Sequence, residues 1–86
     1  MKIKDLILIV KKKINQNILI ESIDIEDKSF LHKNHIGNDK NKYHLKLIIK
    51  SNELKKMQKI QSTRKIYSIL DVEMKKYIHS IQILIT

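Results

Sequence analysis

Apolar residues at Ile3, Leu6, Ile7, Val10 and Ile14 recur at helical spacing and form one stripe. Lys2, Lys4, Lys11, Lys12 and Lys13 lie mostly off it. Leu8 and Ile9 blur the stripe, but the flanking lysines and the length favour a helix, ended by "NQN" at 15–17. From Ser22 to Asp27 the order polar, Ile, Asp, Ile, Glu, Asp has period two. That predicts a half-buried strand with Ile23 and Ile25 inward, whose acidic residues offset lysines on a neighbour. Residues 29–42, "SFLHKNHIGNDKNK", hold no period and are rich in turn formers, which predicts a long loop. "YHLKLIIKS" alternates again: Tyr43, Leu45, Leu47 and Ile49 face one way, and His44, Lys46 and Lys50 the other. This second strand is expected antiparallel to the first.

Ser51 and Asn52 then suit a cap, and Ile60, Thr63, Tyr67 and Leu70 form a stripe flanked by Ile66 and Ile69. The spacing predicts an amphipathic helix over 57–70. Asp71 suits the cap of a second, short helix through Val72, Met74 and Tyr77. Two helices joined so tightly read as a helix-turn-helix element. The closing "IHSIQILIT" places His79, Ile81, Ile83 and Ile85 at one parity of a third strand. The order is α, β, β, α, α, β, an α+β chain expected to form a single domain over 1–86.

Composition narrows the chemistry. A chain of 86 residues buries only roughly 60% of its unfolded surface, which leaves a thin core. The absence of cysteine excludes disulfides and any thiolate site built by this chain alone. The formal charge of +9 suggests nucleic acid or an acidic partner. Against that, Arg64 is the single arginine, and arginine is the residue whose planar fork best fits phosphate. The crowding of Ile, Lys and Asn also fits an AT-rich coding sequence. The apolar run Leu6–Val10 is too short for a signal-peptide core and is followed by "KKK". No stretch approaches the roughly 20 apolar residues of a membrane span. A soluble, unprocessed, cytoplasmic protein with no membrane partner is expected.

Four stretches together resemble the BolA family. "DKSFLHKNHIGN" at 27–38 is similar to its Asp-x-Ser-x-x-His loop. "YHLKLIIKSNEL" resembles its His-Phe-x-Val-x-x-Val-Ser-x-x-Phe run, keeping His44 and Ser51. "RKIYSIL" at 64–70 resembles its Arg-x-Val-Tyr-x-x-Leu helix, and "IHSIQI" at 78–83 its Ile-His-Ala-Leu-x-Ile ending. The likeness spans roughly residues 3–86. Lys56 stands where the family has glycine, and Ser62, Thr63, Arg64 where it has Arg-His-Arg. The resemblance implies a class II KH-like fold, α-β-β-α-α-β, with a three-stranded mixed sheet and the helices on one face. KH domains bind single strands through a Gly-x-x-Gly loop, which a chain whose one glycine is Gly37 cannot form.

Read alone, His79 is a core-edge histidine bonded to a backbone carbonyl. The resemblance implies that it ligates iron in a [2Fe–2S] cluster shared with a monothiol glutaredoxin, whose cysteine and glutathione supply the sulfur. It makes His32, and after it His35, candidate second ligands. His44 matches a recurring family position, but its parity sets it with surface lysines. Imidazole suits iron and raises a cluster's potential relative to thiolate. Because histidine titrates near neutrality, such binding is expected to weaken on acidification. No nucleophile or acid–base pattern points to an enzyme or to a small-molecule substrate. The alternative function is a transcriptional regulator binding duplex DNA through the helix pair at 57–77, with Lys55, Lys56, Lys59, Arg64 and Lys65 on the phosphates.

Overall fold

The computed structural model describes residues 1–29 and 42–86. The elements are α1 (Ile3–Asn17), β1 (Ser22–Asp27), β2 (Tyr43–Lys50), α2 (Asn52–Lys55), α3 (Lys59–Ile69), α4 (Asp71–Lys76) and β3 (Ile78–Ile85). The expected order holds, with the short α2 added. Ser51 caps it: the hydroxyl accepts from Leu54 N–H at 3.2 Å and donates to Leu19 O at 2.8 Å. One side chain thus starts a helix and anchors the link that follows α1.

Among the described residues the strands form one sheet in the order β1-β2-β3. β1 and β2 are antiparallel, with Ile23 opposite Ile49 and Ile25 opposite Leu47. β2 and β3 are parallel, joined by the helical segment between them, as a parallel pair requires. Leu45, Leu47 and Ile49 are buried on the sheet face that the helices cover. Against them pack Leu6, Val10 and Ile14 of α1, spaced every four residues, with Leu54, Ile66, Leu70 and Ile78. Each of these contributes about 1.5–3 kcal/mol on burial. The acidic residues of this stretch do meet lysines: Glu26 of β1 faces Lys46 in register, and the carboxylate of Glu21, just before β1, lies 3.8 Å from Lys50 Nζ.

Two local expectations are corrected. The buried line of α3 runs through Ser62, Ile66 and, just past its end, Leu70, with Ile69 beside it. Ile60 is 57% exposed and Tyr67 is also exposed. The stripe Ile60, Thr63, Tyr67 was plausible because α3 carries more apolar residues than its contact face holds. The true line hides behind a serine, whose hydroxyl donates to Lys59 O at 3.0 Å and can therefore be buried. Asp71 is the first residue of α4 rather than its cap; its carboxylate pairs with Lys75 one turn on.

Candidate metal-ligand site at the start of the third strand

The pairing of β2 with β3 breaks once. Tyr43 is opposite Ile78, but His44 is opposite Ser80, so His79 is an extra residue in the ladder. Extra residues of this kind re-aim side chains. Ile78 is buried, His79 and Ser80 are both exposed, and Ile81 turns back toward the core. His79 therefore does not share the face of Ile81, Ile83 and Ile85. Simple alternation mispredicted this because the shift falls one residue before them.

His44 projects from the sheet face opposite Leu45, as its parity predicts, yet it is only 5% exposed. Its backbone N–H donates to Ser29 Oγ at 3.0 Å and its carbonyl accepts from Lys28 N–H at 2.7 Å. Its Nδ1 lies 2.6 Å from Ser80 Oγ, its direct register partner. Its Nε2 lies 3.3 Å from His79 Nδ1, with the rings edge-to-face at 79° and 4.8 Å between centroids. Sequence reasoning left His44 on the surface; only the irregular pairing brings three polar side chains together there. The signal that could have found it is its match to a recurring family position.

The two residues flanking the segment 30–41 lie at this same end of the sheet. Ser29 is bonded to His44, and Lys42 precedes Tyr43, whose N–H donates to Tyr77 O at 2.8 Å. His32 and His35 lie outside the described residues. Among the described residues no group of three or more His, Asp or Glu side chains could hold a metal ion.

The basic candidates lie elsewhere. Lys55, Lys56, Lys59 and Arg64 are exposed, while Lys65 is half-buried with Nζ 4.0 Å from the Glu53 carboxylate. Lys55 and Lys59 line a groove with Met57, Thr63 and Ile85 at the far end of β3. Among the described residues no helix is long and apolar enough to cross a membrane.

The family model described as BolA-like protein matches residues 14–86. The chain belongs to the BolA family. Solved BolA structures share its fold. The BolA domain of SufE1 from Arabidopsis thaliana matches at TM-score 0.76 and 24% identity, covering 92% of this chain and 87% of that one. BolA1 from Arabidopsis thaliana matches at 0.74 and 22%, covering 91% and 86%. The solution structure of BolA1 from Mus musculus matches at 0.71 and 18%, covering 90% and 60%. No curated protein matches the chain significantly. Within this BolA-like chain the glycine-to-lysine departure has a simple reading: Lys56 is right-handed, with φ −75° and ψ −17°, so the backbone needs no glycine there. At the other departure, Ser62 fills an enclosed position on the core side of α3, while Arg64 keeps the exposed basic character.

Proposed function

We propose that this BolA-like chain is a non-enzymatic accessory protein that shares a [2Fe–2S] cluster with a monothiol glutaredoxin, in cluster trafficking or iron regulation. The observation that carries the reading is His79: an exposed imidazole aimed out of the sheet by a register shift, with one ring nitrogen engaged by a buried neighbour. An imidazole presented this way fits a borderline metal such as iron. The chain has no cysteine, so it supplies part of a ligand set and the partner supplies the thiolates. Histidine ligation raises the potential of such a cluster relative to all-thiolate ligation. His32, three residues beyond Ser29, is the proposed second ligand, with His35 behind it. The duplex-DNA alternative rests on the exposed Lys55, Lys56, Lys59 and Arg64, with Lys65 half-buried beside Glu53.

Mixing the chain with a cluster-loaded monothiol glutaredoxin tests the reading. A heterocomplex of defined size should form, with a visible spectrum different from that of the glutaredoxin alone. Two separately eluting proteins and an unchanged spectrum would contradict it. Replacing His32 and His35 singly by alanine should alter that spectrum more for His32.

A further inference from the structure

Neutral histidine carries one N–H and one ring lone pair, so an imidazole that ligates through one nitrogen must hold its proton on the other. Ligating histidines accordingly donate that second N–H to an acceptor, which fixes both tautomer and ring orientation. The two nitrogens of His79 are unequal in this respect. Nδ1 lies 3.3 Å from His44 Nε2, while Nε2 makes no hydrogen bond among the described residues.

The neighbour is itself an imidazole, so its own proton decides whether it can accept. Two chains of protons are consistent. In one, His44 Nδ1–H donates to Ser80 Oγ, and His44 Nε2 then accepts from His79 Nδ1–H. That leaves the Nε2 lone pair of His79 open. In the other, Ser80 donates to His44, His44 donates to His79, and the proton of His79 sits on Nε2 and closes it. Only the first is compatible with ligation through the outward nitrogen.

We propose that His44 is a positioning residue: it accepts the Nδ1–H of His79 and so holds the Nε2 lone pair of His79 outward for iron. This rests on the reading of His79 as a ligand. His44 is built for the task. Its backbone is bonded to Lys28 and Ser29, and its ring is tied to Ser80. The edge-to-face contact orients the plane of the His79 ring against that of His44. An unconstrained histidine in water favours the Nε2–H form, so the structure must select the other one.

The test reads tautomers directly. Imidazole 15N spectra of the iron-free chain, recorded at about pH 8 where an ordinary imidazole is neutral, should show His79 protonated on Nδ1. His44→Phe should return His79 to the Nε2–H form. His44→Gln, which keeps an acceptor within reach, should retain Nδ1–H. With cluster-loaded glutaredoxin, His44→Phe should weaken the complex about 10- to 100-fold and His44→Gln by less. His79 protonated on Nε2 in the wild-type chain would overturn the proposal, as would persistence of Nδ1–H in a folded His44→Phe variant. The wild-type spectrum needs no variant to fold, and neither iron nor partner is present. An unchanged complex with His79→Ala would instead remove the ligand reading beneath the proposal, leaving the tautomer result as it is.

Discussion

Glu73 is buried, and its carboxylate receives Lys13 Nζ at 2.9 Å and 2.7 Å through its two oxygens. This contact ties α1 to α4 across 60 positions of sequence. Removing the cation leaves a carboxylate enclosed by the core, which is costlier than never having had the pair. Because Lys13 is partly exposed, Lys13→Met should lower stability by about 2 kcal/mol. Urea unfolding measures this, and a change below about 0.5 kcal/mol, the ordinary surface range, would contradict it. The pair was not legible in the sequence, where Lys13 reads only as one of the lysines lying mostly off the apolar stripe of α1. His44 was misread for the same reason. Alternation gives the face of a strand residue, not how deeply neighbouring polar groups enclose it.

At the scale of elements, strict periodicity was readable and interrupted periodicity was not. The stripe of α1 and the alternation of β1 and β2 lie where hydrophobicity predicts. In α3 and β3 the pattern carries a polar insertion or an extra residue. Ser62 stands on the buried line of α3, and His79 interrupts the ladder of β3. The buried face of α3 can be tested by substitution. Ile66→Ala should cost about 2–5 kcal/mol, since its side chain is fully enclosed. Ile60→Ser should stay within about 0.5 kcal/mol, since the residue faces outward. Comparable losses from both, measured by thermal or urea unfolding, would restore the stripe expected from sequence.

Across the whole molecule, the histidine site and the basic groove occupy opposite ends of β3. Seven steps of about 3.3 Å separate Ile78 from Ile85 by about 23 Å, well beyond the Debye length of about 8 Å at physiological salt. Replacing both Lys55 and Lys59 by Gln should therefore leave glutaredoxin binding within about twofold at that salt. A tenfold loss by calorimetry would place the partner on the basic end instead. The fold was legible because each face of the sheet and of α1 is written as a repeat. The site was legible only as separate histidines and motifs, because its geometry depends on one register shift. The most direct test of the account is the visible spectrum and size of the complex between cluster-loaded monothiol glutaredoxin and His79→Ala. The account predicts loss of the cluster-bridged complex and a spectrum reverting to that of the glutaredoxin alone. A complex of the same size and spectrum as wild type would contradict it.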